Sequence, residues 1–320
     1  MKIEVLCLGH AACDLIVPLE KFPEENTKYS IEELFESSGG PACNAASLLG
    51  LWGFGCAFAG LVGRDAQAEL VLAELAAAGV DASQVQRPAG FATPLSIIIT
   101  SAASGSRTIV NRRRSGRAHA FDRGLAASWD PAVLLFDGHE PESSLAALET
   151  FPRALSVLDA GSLRPGTRLL APRVDYLVAS ERFAADFSGE DTDQPAGLAR
   201  ALSALFESNG RHAAVTLGER GCVFRDAEAS GALQARPAKA VDTTAAGDVF
   251  HGAFAAGLLE GRSFLDCLRL ATVAAGLSVE RRGGRASIPE RGEVLARYRE
   301  QFGPEEFSPR SARSRGGAEK

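Results

Sequence analysis

The chain has no run of about eighteen apolar residues, the length a helix needs to span a bilayer. Its first ten residues, MKIEVLCLGH, go straight into a strand pattern without the apolar core and cleavage site of a signal peptide. No membrane partner is expected, and the expected location is the cytoplasm. The six cysteines, at 7, 13, 43, 56, 222 and 267, include no close pair of metal-ligand spacing and mostly sit among apolar residues. They read as reduced core residues rather than as a metal site. Positive charge is scarce too: the formal charge of −6 argues against a general nucleic-acid binder. One local basic cluster, Arg112, Arg113, Arg114 and Arg117, fits a loop of solvated arginines, or an attractor for an anionic ligand if that loop overhangs a pocket. No internal repeat is evident, and 320 residues allow one large α/β domain or two ordinary ones.

What the chain does have is VDTTAAGDVFHGAFAAGLL, residues 241–259. Thr243 to Gly247 carry little side-chain bulk, so the backbone can approach a ligand closely; Val249, Phe250, Ala253, Phe254, Gly257 and Leu258 then recur at helical spacing. A helix beginning near Ala246 is predicted. Its first turn offers unpaired N–H groups and the positive end of the helix dipole, a site for a phosphate or other oxyanion. Asp248 sits in that turn, where a carboxylate fits two roles. It can simply cap the helix, or it can accept a proton from a hydroxyl while a phosphoryl group rests on the amides. The small and hydroxyl residues ahead of it, which a cap does not need, favour the second.

Around this stretch the pattern alternates. Strands are expected at Ile3–Leu8, Cys56–Leu61, Val133–Phe136, Ala154–Leu158, Tyr176–Ala179 and Ala213–Leu217. Helices are expected from Pro41 and at Ala66–Ala78, Ser143–Thr150, Pro165–Ala171, Phe264–Glu280 and Glu290–Phe302. These are βαβ units, and they predict an α/β fold with a doubly wound, mostly parallel sheet flanked by helices. The alternating runs Leu15–Leu19 and Tyr29–Phe35, and a hairpin of Thr93–Thr100 with Arg107–Asn111, need not belong to that sheet. Residues 303–320, rich in Ser, Arg, Gly and Pro, are expected to be a disordered tail.

Asp242, Thr243, Thr244, Ala245, Ala246, Gly247 and Asp248, followed by Gly252 and Ala253, resemble the C-terminal signature of the PfkB, or ribokinase-like, carbohydrate kinases. Gly39, Gly40 and Asn44 around the Pro41 helix start resemble its N-terminal signature, and GLVGRDAQ at 60–67 its second strand-to-helix connection. Two signatures in the right order and separation are far more specific than either alone. The resemblance spans nearly the whole chain. It implies a ribokinase-like domain over residues 1–302 with a small β lid formed by about 14–37 and 93–112. The implied activity is transfer of the ATP γ-phosphoryl group, with Mg²⁺, to a primary hydroxyl of a sugar.

In this reading Asp248 is the catalytic base and the Ala245, Ala246 and Gly247 backbone is the anion hole. Asp14, Gly39, Gly40 and Asn44 hold the sugar, although Ala12 stands where relatives often carry Asn. Lys28 at the lid's edge and Asn111 at the end of the hairpin are further substrate candidates. Asp137, closing a strand, fits a helix cap as well as a substrate contact, and His139 beside it reads as an exposed polar residue. Thr216, Gly218 and Gly221 of TLGERG resemble the turn that meets the ATP phosphates. Ser180 and Phe183 occupy the places of an Asn-x-x-Glu motif; Ser180 is kept as an ATP contact, and Glu181 can reach Mg²⁺ through water. Asp242, Thr244 and Ser287 resemble a monovalent-cation (K⁺) site, and the lid is expected to make a homodimer. SLLGLWGFGCAFAG, GVDASQV and RTIV resemble ketohexokinase, while DVFHGAFA and GGRASIP resemble fructose- and sulfofructose-type kinases. A ketose is therefore the expected substrate, anionic if Lys28, Asn111, His139 and the arginines converge on the pocket. Ribokinase or nucleoside kinase activity is the alternative, and a sugar-binding protein that kept the fold without catalysis is the alternative of another class.

Overall fold

The run Val5–Leu8 (β1) is buried along its whole length, as a strand must be when helices cover both faces of a parallel sheet. It is the hub of the computed structural model, which describes residues 1–101, 103, 107–112 and 116–304. After β1 the chain forms Ala12–Leu19 (β2), Phe35–Gly39 (β3), Pro41–Leu51 (α1), Cys56–Leu61 (β4), Ala66–Ala77 (α2) and Asp81–Gln86 (β5). Leu95–Ser101 (β6) and Arg107–Arg112 (β7) follow. Strand and helix then alternate through Val133–Phe136 (β8), Pro141–Thr150 (α3), Leu155–Ala160 (β9), Pro165–Leu170 (α4) and Tyr176–Ser180 (β10). Glu181–Ser188 (α5), Pro195–Asn209 (α6) and His212–Thr216 (β11) lead to a meander of Cys222–Arg225 (β12) and Ser230–Leu233 (β13). The helices Ala246–Leu259 (α7), Phe264–Ser278 (α8) and Arg291–Phe302 (α9) close the chain.

Nine strands form the main sheet in the order β13-β12-β11-β10-β9-β8-β1-β4-β5. Pairing is parallel from β5 to β11 and antiparallel only at β12 and β13. Strand order reverses at β1, which lies between β4 and β8; ligands of open α/β sheets bind beyond the carboxyl ends of the strands at such a reversal. Successive residues of β1 point to opposite faces. Val5 and Cys7 pack in the core under α1, α7 and α8, and Leu6 and Leu8 in the core under α3 to α6. All six cysteines are buried and unpaired. Four strands make a second sheet, β3-β2-β6-β7, in which β2 and β6 run parallel.

The structure departs from the sequence pattern in a few places. The second strand of the small sheet is Phe35–Gly39 rather than Tyr29–Phe35, because Ser38 and Gly39 pair with β2 while residues 20–34 stay exposed. Asp14 consequently lies inside a strand, not in a loop after one. The polar strand β5, the exposed strand β13 and the helix α6 had not been expected. The expected tail lies, from residue 305 on, outside the described residues, as do Arg113 and Arg114.

Two backbone details place the site. Helix α7 approaches α1 through Gly252, where an added Cβ would lie 3.2 Å from the Ala45 carbonyl and 3.3 Å from Leu48 Cβ. The N-cap of α7, Ala245, adopts a left-handed conformation with φ 61°, which strains any residue with a Cβ. Gly252→Val forces the two helices apart and is expected to cost about 1–3 kcal/mol, read as a lowered urea midpoint. Ala245→Gly relieves the cap and is expected to gain about 0.5–1 kcal/mol, visible in the same measurement as a raised midpoint.

Candidate active site

A cleft of about 190 Å³ opens between the small sheet and the N-terminus of α7. Asp14 and Ala12 from β2, Ser96 and Ile98 from β6, and Arg107, Ile109 and Asn111 from β7 line one side. His10, Gly40, Pro41 and Asn44 around the start of α1, and Thr244, Ala245 and Asp248 at the start of α7, line the other. Of the residues expected from the sequence, the structure therefore brings Asp14, Gly40, Asn44, Asn111, Thr244, Ala245 and Asp248 to one place. Gly39 stands directly behind Asp14, where a Cβ would fall 2.1 Å from the carboxylate. Gly40 is the N-cap of α1 with φ 98°, a conformation that glycine alone adopts without strain. Ala246 and Gly247 supply first-turn amides, and Gly247 faces open space.

Asp248 is the electrostatic centre of this cleft. Burial and then the nearby Asp159 push its carboxyl up to about 7, against the opposing pull of Asn44 and His251. Asn44 Nδ2 donates to Asp248 Oδ2 at 2.6 Å. The Asn44 side-chain oxygen is buried and has no protein partner, and the same is true of the Thr244 hydroxyl. Native proteins rarely leave such atoms unpaired, so both mark places where a ligand's donors belong. Asp14 is 7% exposed; burial raises its carboxyl, with a Ser96 hydrogen bond opposing. Arg107 reaches from β7 to hydrogen-bond the Thr243 hydroxyl, tying the small sheet to the loop ahead of α7.

Other expected contacts have different duties. The Asp137 carboxylate is 3% exposed and is consumed by the amides of His10, Ala42 and His139 at 2.8, 3.2 and 2.9 Å. Burial would raise this acid, but His139, 3.0 Å away, and those amides hold it far below the usual carboxylate range. It splices β8 to the start of α1 and lies outside the cleft lining. His139 is correspondingly not a free surface residue: it bonds Asp137 and Arg164 and stacks on His10. Lys28 lies in the exposed connection between β2 and β3, outside the cleft lining. Arg112 donates to the Thr93 carbonyl at 3.0 Å.

On the nucleotide side, Thr216, Gly218 and Gly221 form the turn between β11 and β12, with the Thr216 hydroxyl 3.3 Å from the Ala179 carbonyl. The Ser180 hydroxyl accepts from the Phe183 amide at 3.0 Å and donates to the Gly161 carbonyl at 2.9 Å. It is the N-cap of α5, and its hydroxyl proton is engaged by the Gly161 carbonyl. Glu181 is held by Arg220 through both carboxylate oxygens, so it is committed to an ion pair rather than to a metal's water. At the third expected site, Asp242 accepts from the amides of Thr244 and Gly283 at 2.8 and 3.0 Å, and the Ser287 hydroxyl donates to the Gly284 carbonyl at 2.7 Å. In the corner formed by residues 242–244 and 283–287, Asp242 and Ser287 are thus both held by main-chain bonds.

His10, Ser96 and Arg107 had carried no signal in the sequence. Each enters the cleft through tertiary packing of a strand or strand end that looks ordinary along the chain. His251 and Asp159, behind Asp248, escaped notice for the same reason.

A model of the pfkB family carbohydrate kinases matches residues 2–291. The chain is 27% identical over 305 residues to a ribokinase of Arabidopsis thaliana, covering 91% of this chain and 80% of that one. It is 36% identical over 107 residues to a ketohexokinase of Mus musculus, covering 33% of this chain and 36% of that one. The crystal structure of a putative ribokinase from Agrobacterium tumefaciens superposes with a TM-score of 0.84 at 28% identity, covering 95% of this chain and all of that one. With a cleft holding an acid, an amide and helix-end N–H groups, a ribokinase-like fold and a family match over nearly its whole length, this chain belongs to the pfkB family carbohydrate kinases, phosphotransferases with an alcohol acceptor.

Proposed function

We propose that the chain transfers the γ-phosphoryl group of ATP to the primary hydroxyl of a neutral, free sugar of the ribose type. The observation that carries this is Asp248, an acid raised to about 7 at the mouth of a helix N-terminus. A general base works best when its pKa lies near the working pH, and the amides of the same turn suit the transferred phosphoryl group. Asn44 steadies one oxygen of the base, and the other takes the hydroxyl proton as attack proceeds. Asp14, Asn111 and the unpaired Asn44 oxygen orient the remaining hydroxyls. Thr216, Gly218 and Gly221 cradle the nucleotide.

Among the described residues no three His, Cys, Asp or Glu gather to hold a metal. Mg²⁺ would be held chiefly by the nucleotide's phosphates, as in many phosphoryl-transfer sites, and would neutralise their charge. The oxygen set of Asp242, Thr244 and Ser287, with the Thr244 hydroxyl unpartnered, suits a monovalent cation. The small sheet acts as a lid that shuts water out of the transfer.

Ribose is preferred to the expected ketose because relatives matched over most of both chains include several ribokinases and a nucleoside kinase, whereas the ketohexokinase match covers a third of this chain. A free sugar is preferred to a nucleoside because the one aromatic ring among the described lining residues is His10; a base stacks best on aromatic faces. A neutral sugar is preferred because Lys28, Arg112 and His139 do not converge on the cleft, and Arg107, the cation that does line it, is engaged by the Thr243 hydroxyl.

ADP release measured over pentoses, ketoses and nucleosides is expected to give ribose the highest kcat/KM. A ketose or nucleoside ahead of it overturns the sugar assignment, and no turnover with any of them overturns the kinase reading. Asp248→Asn is expected to retain sugar binding and lose about 10²–10⁴ in kcat. Because the ionised base is the active form, kcat/KM is expected to fall tenfold per unit as pH drops below about 7 and to level off above it.

The lid is also the proposed dimer contact. Of the eleven exposed large hydrophobic residues among those described, Phe22, Tyr29, Ile31, Leu34, Ile97 and Val110 belong to the small sheet or its connection and lie outside the cleft lining. A second copy covering this face explains their concentration. Sedimentation velocity is expected to show a dimer that Val110→Asp converts to monomer; a monomeric wild-type chain contradicts the contact.

A further inference from the structure

Alternate residues of a strand share a face, and along β7 Arg107, Ile109 and Asn111 all line the cleft. The register of the small sheet divides that face in two. Asp14 of β2 stands beside Ser96 of β6, and Ser96 beside Asn111 of β7, so three polar side chains form one row across the sheet. Arg107 lies four residues away along β7, about 13 Å at the rise of an antiparallel strand, where it pairs with Thr100. A monosaccharide held by the row stops short of the guanidinium.

What the guanidinium meets instead is the approach to α7. Arg107 donates to the Thr243 hydroxyl, two residues ahead of the N-cap Ala245. An arginine carries five N–H donors and a fixed positive charge, and among the described residues no carboxylate is paired with this one. A cation beside the positive end of a helix dipole is unfavourable by itself. The arrangement becomes favourable when an anion lies between them, bound by helix amides on one side and by the planar fork of the arginine on the other. The same cleft carries the buried Asn44 oxygen and Thr244 hydroxyl, neither with a protein partner, and Gly247 leaves open space in the first turn of α7.

We propose that Arg107 is a catalytic residue, its guanidinium resting on the transferred phosphoryl group opposite the first-turn amides of α7. This rests on the kinase reading above. As the sugar oxygen bonds to the γ-phosphorus, the bond to the ADP oxygen breaks and the sugar's proton passes to Asp248. Negative charge spreads over the three phosphoryl oxygens that neither bond uses. The amides hold those oxygens from the α7 side and Arg107 holds them from the small sheet, with Thr243 accepting one N–H and aiming the remaining donors. The small sheet then serves both reactants, the sugar at the row of Asp14, Ser96 and Asn111 and the phosphoryl group at Arg107.

Arg107 is exposed, so truncating it leaves the core intact. With the best sugar of the panel, Arg107→Ala is expected to lower kcat about 10²- to 10³-fold while KM for the sugar stays within about twofold. Millimolar guanidinium ion is expected to raise the turnover of Arg107→Ala and to leave the wild-type chain unaffected. A charge on the phosphoryl group gives that recovery; a mere tether between the small sheet and Thr243 does not. A wild-type kcat in Arg107→Ala, a rise in the sugar's KM that accounts for the loss, or a loss that guanidinium leaves untouched overturns the proposal.

A second readout needs no turnover. ADP, aluminium fluoride and the best sugar together imitate the planar phosphoryl group, and their joint binding, measured by calorimetry, is expected to weaken about 10²- to 10³-fold in Arg107→Ala while ADP alone binds as before. Equal affinity for the three-part mixture in both chains overturns the proposal. A wild-type chain that phosphorylates no sugar removes the kinase reading, whereas an active wild-type chain beside an equally active Arg107→Ala removes the role of Arg107 alone.

Discussion

The site depends on one short hydrogen bond between chain positions far apart in sequence, from the Asn44 amide to the Asp248 carboxyl at 2.6 Å. Burial and the neighbouring acids Asp159 and Asp14 favour a protonated Asp248; Asn44 and His251 pull the other way, and the balance falls near neutrality. That balance is geometric before it is electrostatic. It requires α1 and α7 to lie close, which Gly252 permits, and it requires α1 to start at a glycine cap that turns sharply beside the His10 carbonyl. A substitution at any of these positions moves the base without touching it.

The main sheet supplies rigidity and the small sheet supplies the rest of the enclosure. The strand-order reversal at β1 fixes where a crevice opens, and the buried Asp137 stitches the strand ends to the first helix there. From the other side β2, β6 and β7 bring Asp14, Ser96, Asn111 and Arg107 over the same opening. The Arg107 bond to Thr243 makes the position of the small sheet and the shape of the loop ahead of α7 interdependent.

The legible parts of the sequence were those where the chemistry lies in consecutive residues. Residues 39–44 and 242–248 announce themselves because a close backbone approach needs small residues in a row, and the buried strands because both faces are apolar. The roles of Asp137, Ser180 and Glu181 were not legible for a common reason: a polar residue at a strand end looks the same along the chain whether it caps, pairs or meets a ligand, and its partners appear only in space. Lys28 was carried by resemblance alone. The strands β5 and β13 were missed because they lie at the edges of the sheet, where one side needs no apolar cover. His10 and Arg107 had no local signal to find, since their place in the cleft is made by strands that meet only in the folded chain.

The parallel pairing of β2 with β6 joins residues 12–19 to residues 95–101, and between them the chain has already visited α1, β4, α2 and β5 of the larger body. The smaller sheet is therefore not a cassette. It cannot be cut out as one stretch without the elements of the larger body that lie between its strands, and a crossover between relatives that keeps it whole falls before residue 12 or after residue 112.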